Sequence, residues 1–149
     1  MTDTSMDLAS GIAAFESRHF NTAFPLLKPL ADDGDTEAEY RVAIMYQNGL
    51  GLVANMEKAV EYMRKAAEKE HSLAQHGLGF MYMQGEGVAV SGPEAEKWFL
   101  KAAAQGQQGS YTTLAMMYLE GQGIDKDMDK AREYFSKGGF DPDEFIKDS

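Results

Sequence analysis

Cysteine is absent from the 149-residue chain. Without thiols the chain can form no disulfide framework, no thiolate zinc site and no cysteine nucleophile. Proline is scarce as well, with 4 residues, whereas 44% of the residues are hydrophobic. This composition is typical of a folded domain, since a disordered segment carries too little apolar surface to bury.

Positive charge is also scarce. The chain has 14 Lys and Arg residues against 24 Asp and Glu residues, a formal net charge of −10. Nucleic acids and anionic membrane surfaces both attract basic patches, so this balance disfavours both as partners.

Long hydrophobic runs are missing. No stretch approaches the roughly 18 apolar residues of a membrane-spanning helix. Residues 1–10 contain no Lys, no Arg and no apolar run, unlike a secretory signal. We expect a soluble, cytoplasmic protein; a periplasmic or secreted protein whose signal has been removed is the alternative.

A period of 36 residues runs through the chain. Seven columns repeat at this spacing without an insertion: Tyr46, Tyr82 and Tyr118; Gly49, Gly85 and Gly121; Gly51, Gly87 and Gly123; Leu52, Val88 and Ile124; Ala59, Ala95 and Ala131; Tyr62, Trp98 and Tyr134; Lys65, Lys101 and Lys137. Such a period is typical of repeat architectures, in which each unit buries its apolar flanks against its neighbours.

Each repeat is predicted to form two helices. In the first helix, Val42, Met45 and Tyr46 follow i, i+3, i+4 spacing and are repeated in both later copies. In the second helix, Ala59 and Tyr62 begin a similar stripe. A column that is always small allows the two helices of a pair to approach closely: Ala43, Gly79 and Ala115.

The connection between the two helices has its own signals. Glycine accepts a positive φ, so the first glycine of each Gly-x-Gly is predicted to end the first helix. Asn55, Ser91 and Asp127 then share one register and are predicted to be N-caps of the second helices. Pro93 falls in the first turn, where a missing N–H does no harm.

The two ends differ from the central repeats. Helices are predicted over residues 4–17 and 20–33, joined by a tight turn instead of a glycine loop. We therefore divide a single repeat domain, residues 1–149, into an opening pair (4–37), three repeats (38–73, 74–109 and 110–139) and an acidic capping tail (140–149). Within this tail, Asp141 is predicted to cap a short last helix.

The repeats resemble those of the Sel1-like family, relatives of the tetratricopeptide repeat. The residues that carry the resemblance are clearest in one repeat: Leu78, Gly79, Tyr82, Gly85, Gly87, Val88, Trp98, Phe99, Lys101, Ala102 and Ala103. The resemblance implies an all-α fold, a right-handed α-solenoid of antiparallel helix pairs with a short C-terminal capping helix. It also implies an adaptor that holds protein partners in a concave groove.

A cysteine-rich branch of the same family suggests the alternative function. The resemblance to it implies a small-ligand or cell-wall-fragment binding protein, or a weak hydrolase, but this chain lacks the cysteines. An enclosed pocket with convergent polar groups would favour that alternative.

Candidate chemical sites are weak. His71 and His76 are five residues apart, the wrong spacing for one helix face, so we expect surface or loop histidines. Asp125, Asp127 and Asp129 imitate a calcium loop, but the glycine and the glutamate that such a loop needs are missing. The glycine pairs lack the lysine of a phosphate loop. We predict no catalytic residue, no metal site and no cofactor.

One surface of the first helices is a candidate binding site. A column of large apolar residues lies beside the core stripe, with further positions four residues before and three after: Tyr40, Ile44, Gln47, His76, Phe80, Met83, Thr112, Met116 and Leu119. If exposed, these residues form an apolar strip suited to a peptide or helix. The alternative is that Ile44, Phe80 and Met116 pack between adjacent repeats.

The predicted partner is therefore a protein or a peptide. We expect neither nucleic acid nor membrane binding, and a monomer or a weak homodimer.

Overall fold

The computed structural model describes residues 4–146, which form nine helices and no strand. The helices are α1 (Thr4–Glu16), α2 (Phe20–Asp32), α3 (Thr36–Asn48), α4 (Met56–Glu68), α5 (Ser72–Gln84), α6 (Gly92–Ala104), α7 (Gly109–Glu120), α8 (Met128–Lys137) and α9 (Pro142–Phe145). Within this described range, no helix is long and apolar enough to cross a membrane. Lys147 and Asp148 of the predicted acidic tail lie outside the described residues.

The helices pack as antiparallel pairs, which confirms the predicted all-α fold class. The chain forms two compact units, Met1–Ala74 (unit 1) and Gln75–Ser149 (unit 2). In unit 1, α1 packs on α2, α2 on α3 and α3 on α4. In unit 2, α6 packs on α7, α7 on α8 and α8 on α9. The boundary between the units falls inside α5, after its first turn.

The predicted apolar stripes form the cores of both units. In unit 1, Val42 and Met45 of α3 and Ala59 of α4 are fully buried. In unit 2, Leu114 and Phe135 occupy the corresponding interior together with Met117 and Ala131. Burial of such side chains is the main favourable term in folding, at roughly 25 cal/mol per Å² of apolar surface.

The predicted N-caps are confirmed. The side chains of Asn55, Ser91 and Asp127 accept hydrogen bonds from the amides three residues later, at 3.1, 3.2 and 3.0 Å. Each contact pairs one of the amides that a helix start leaves without an intrahelical partner. Asp127 is thus the N-cap of α8.

The predicted glycine stops are confirmed as well. Gly49 and Gly121 end α3 and α7 with φ of 66° and 72°, in the left-handed region. The second glycine of the loop has a separate role that the sequence did not reveal, because it lies against the start of the preceding second helix. A Cβ on Gly51 would lie 2.9 Å from the backbone of Phe20.

In unit 2 the same contact involves two glycines. A Cβ on Gly92, the first residue of α6, would lie 2.2 Å from the carbonyl oxygen of Gly123. Phe20 and Gly92 occupy the same register 72 residues apart. In both units, therefore, the loop between two helices packs directly on the N-terminus of an earlier helix.

Candidate functional site

In unit 1 the predicted site residues lie along one face of α3. Tyr40, Ile44 and Gln47 are all half-buried. The ring of Tyr40 stacks on the imidazole of His71, with ring centroids 4.5 Å apart. Burial, and then the nearby charge of Glu37, raises the pKa of the Tyr40 hydroxyl above its usual value.

In unit 2 the residues on α5 have three different environments. Phe80 is 37% exposed. His76 is half-buried, and its ring lies 5.1 Å from that of Phe99. Met83 is only 6% exposed and belongs to the hydrophobic core of unit 2, so it supports this face from below.

The remaining predicted residues lie on α7. Thr112, Met116 and Leu119 are half-buried, and Met116 and Leu119 pack against the core of unit 2. The Thr112 hydroxyl lies against Gly138 at the end of α8, 2.8 Å from where a Cβ on that glycine would be. The outer edges of these side chains remain accessible while their inner edges help to hold the helix pair together.

The first helices of unit 2 carry almost no charge. The sequence of α5 contains no Asp, Glu, Lys or Arg, and that of α7 contains only Glu120, its last residue. The chain has 14 Lys and Arg and 24 Asp and Glu residues, so its charged side chains are concentrated elsewhere. The centres of protein interfaces are likewise depleted of charged residues.

His76 corrects the expectation of plain surface or loop histidines. It lies within α5, and its Nδ1 is 2.7 Å from the hydroxyl of Ser110, which is fully buried on α7. Because the surroundings desolvate the charged imidazolium, burial lowers the pKa of His76 below its usual value of 6.5. The side chain is a polar link between α5 and α7 inside unit 2.

The lowered pKa of His76 predicts acid sensitivity. Below pH 6.5 the unfolded chain takes up a proton at this residue before the folded chain does, so the free energy of unfolding falls as the pH decreases through this range. We expect His76→Gln to lose less stability than the unmodified protein between pH 7.5 and pH 5.5. Urea unfolding at several pH values measures the difference, and parallel curves for the two proteins would contradict it.

The sequence interpretation missed two hydrogen-bonded pairs of polar side chains, one in each unit, and each pair contains a buried member. In unit 1, Glu39 is 1% exposed, and both of its carboxylate oxygens accept from Nζ of Lys69, at 2.9 and 3.1 Å. In unit 2, fully buried Gln75 accepts from Nε2 of Gln105 at 2.8 Å. Both pairs join residues 30 positions apart, and the members match at the 36-residue period. That register is the signal that could have revealed them.

A second missed feature joins tyrosines to carboxylates. In unit 2 the hydroxyls of Tyr118 and Tyr134 donate to the same oxygen of Glu96, at 2.6 and 3.1 Å. Burial first, and then Glu96, holds the pKa of both tyrosines above the usual value. In unit 1, Tyr62 donates to Asp32 at 2.6 Å. These contacts fix the orientation of aromatic rings that recur at the 36-residue period. They also occupy the tyrosine hydroxyls with hydrogen bonds.

A cavity lined by charged side chains, among them Asp32, Lys65 and Lys69, lies in unit 1 away from the predicted site. It has a volume of about 340 Å³, and none of the nine predicted site residues lines it. Of the two lysines that line it, Lys69 has all three of its N–H donors engaged, because Nζ donates to the carbonyl of Gly34 and to both oxygens of Glu39. Within residues 4–146, no group of three or more His, Cys, Asp or Glu side chains is placed to hold a metal ion.

Comparisons with known proteins agree with the all-α fold of paired helices. The Sel1 repeat family model matches residues 36–71, 72–107 and 111–139. A protective antigen of uropathogenic Escherichia coli strains, which displays an SLR fold, is 34% identical with a TM-score of 0.81, over 92% of this chain and 30% of that chain. A Sel1 repeat protein from Oxalobacter formigenes is 27% identical with a TM-score of 0.77, over 89% and 54% of the two chains.

Among curated proteins, chitin synthase regulatory factor 2 of Schizosaccharomyces pombe is 43% identical over 49 residues. This match covers 33% of the present chain and 10% of the yeast protein. The chain thus spans a minor part of the length of these two relatives, 30% of the antigen and 10% of the regulatory factor.

Proposed function

Because the chain belongs to the Sel1 repeat family, whose members are generally protein-interaction modules, we propose that it is a non-enzymatic adaptor. Its first helices bind a segment of a partner protein. The observation that carries the proposal is the combination of an exposed Phe80 with the near-absence of charge on α5 and α7.

The absence of charge matters because burying a charged side chain at the centre of an interface costs desolvation free energy. That cost is recovered only if the partner protein supplies an opposite charge. A neutral, apolar face with a few polar groups avoids this cost. Aromatic side chains contribute most to such interfaces, because they bury a large area at a small cost in side-chain entropy. Phe80 is therefore the proposed anchor of the site in unit 2.

The other residues have supporting roles. In unit 2, Met116 and Leu119 extend the apolar contact area, and Met83 supports it from the core. In unit 1, Ile44 provides apolar area on the exposed face of α3. Tyr40, Gln47, His76 and Thr112 contribute polar edges that select among partners. The ring of Tyr40 is already held by its stack on His71. Little side-chain entropy is therefore lost when a partner protein contacts Tyr40.

Phe80→Ala tests the proposal. Loss of a central aromatic anchor typically costs 2 kcal/mol or more of binding, which corresponds to a roughly 30-fold weaker complex. A half-exposed side chain contributes less to folding, and we expect the free energy of unfolding to fall by about 1 kcal/mol. Affinity capture from the native lysate, with quantitative mass spectrometry of the bound proteins, compares the variant with the unmodified protein.

Phe140→Ala is the matched control. Phe140 is 45% exposed and follows α8, outside the proposed site. Partners captured by the unmodified protein and by Phe140→Ala, but lost from Phe80→Ala, support the proposal. Equal capture by all three proteins contradicts it. A loss of thermal stability in Phe80→Ala as large as that of a buried core residue also contradicts it, because Phe80 would then pack internally.

A further inference from the structure

The first helices of two successive repeats begin with different caps in the same register. The carboxylate of Asp35 accepts from the amide of Ala38 at 2.9 Å. Thirty-six residues later, Nδ1 of His71 accepts from the amide of Ala74 at 3.1 Å. Each contact reaches the third residue of its helix, α3 or α5. A carboxylate accepts hydrogen bonds at any pH near neutrality, whereas an imidazole nitrogen accepts only while it is unprotonated.

The partners of His71 define which of its nitrogens carries the proton. Nε2 is 2.9 Å from Oε2 of Glu37, and a carboxylate can only accept, so Nε2 is the donor. Nδ1 faces an amide N–H and must be the acceptor. The cap therefore requires the neutral imidazole with its proton on Nε2.

We propose that His71 is a proton-operated cap of α5. A proton taken from solvent onto Nδ1 turns the acceptor into a donor that faces the N–H of Ala74, so this hydrogen bond is lost. The imidazolium retains its contact with Glu37, which becomes an ion pair. Acidification thus loosens the first turn of α5, whereas α3, capped by Asp35, is unaffected.

The groups around His71 keep its ring in place in both states. From α3, Glu37 contacts Nε2 and Tyr40 stacks on the ring face, an arrangement that also suits a cation. Arg41 donates to the other oxygen of Glu37 at 3.0 Å and fixes that carboxylate. Lys69, two residues before the histidine, is bound to Glu39. The change is therefore confined to the start of α5, the helix on which Phe80 lies.

Nitrogen-15 NMR of the full chain between pH 8 and pH 5 tests the proposal directly. We expect the ring nitrogens of His71 and the amide of Ala74 to titrate with one midpoint, while the amide of Ala38 does not move. After correction for intrinsic rates, solvent exchange at Ala74 should be about five-fold faster in the protonated state, as loss of one cap implies.

Two variants separate the possible sources of the signal. Asparagine caps helices at any pH, so His71→Asn should abolish the titration of Ala74 and keep its slow exchange. His76→Gln should leave the titration unchanged. An Ala74 amide that stays constant while His71 titrates, or that still titrates in His71→Asn, overturns the proposal. So does a His71 ring that remains neutral at pH 5.

Discussion

Gly92→Ala is expected to lower the free energy of unfolding by about 3 kcal/mol, because the new methyl group has no space. Its Cβ would lie 2.2 Å from the carbonyl oxygen of Gly123 and 2.9 Å from Cβ of Ile124. The loop cannot simply retreat, since Gly123 holds a φ of 71° and the chain four residues later begins α8 with the cap Asp127. For a chain of this length the melting temperature should fall by about 10 °C.

Gly109→Ala is the matched control for this substitution. Gly109 also begins a helix, α7, but a Cβ there would have no heavy atom within 4 Å. Alanine favours the helix over glycine, so this variant should be within about 0.5 kcal/mol of the unmodified protein or slightly more stable. Calorimetry of both variants gives the comparison. Equal melting temperatures for the two variants would mean that the loop at Gly123 moves aside freely.

Lys69→Met is expected to destabilise the protein by about 3 kcal/mol, because it leaves the buried carboxylate of Glu39 without its cation. The methionine preserves much of the packing of the lysine stem but supplies no donor to Glu39 or to the carbonyl of Gly34. Chemical denaturation of the variant, with the slope checked for two-state behaviour, measures the loss.

Unit 2 shows how the stability lost in Lys69→Met could be recovered. At the equivalent positions, Gln75 and Gln105 form an uncharged hydrogen bond of 2.8 Å. Glu39→Gln combined with Lys69→Gln copies this neutral pair into unit 1 and should recover most of the stability lost in Lys69→Met. Lys69→Gln alone should lie between the two. If the double variant is as unstable as Lys69→Met, the two hydrogen-bonded pairs are not equivalent.

The helix boundaries followed from short-range signals. Gly49 was predicted to end a helix because of its own freedom at positive φ, and Asn55 to begin one because its side chain reaches an amide three residues away. Both signals involve residues within one turn, and three copies at a fixed period removed the ambiguity that a single copy would leave.

The candidate site was harder to predict. The sequence placed Phe80 and Met83 on the same helix, but it did not show that the first is 37% exposed and the second 6%. The sequence alone predicts a plain surface or loop histidine at His71, whereas in the structure it is a cap in the same register as Asp35. That equivalence becomes apparent once the contacts of both side chains are known.

By itself, the sequence determined the number of helices in each repeat, the N-caps of the second helices, the glycine stops of the first helices and the residues of the core stripes, because each depends on neighbours no more than about four positions away. The tertiary structure alone decided which buried polar residues form hydrogen bonds with each other and at which points the backbones of two segments come into contact. Those contacts join residues about 30 positions apart, such as Glu39 with Lys69 and Gly92 with Gly123. Their distances depend on how whole helices pack, which no local pattern encodes.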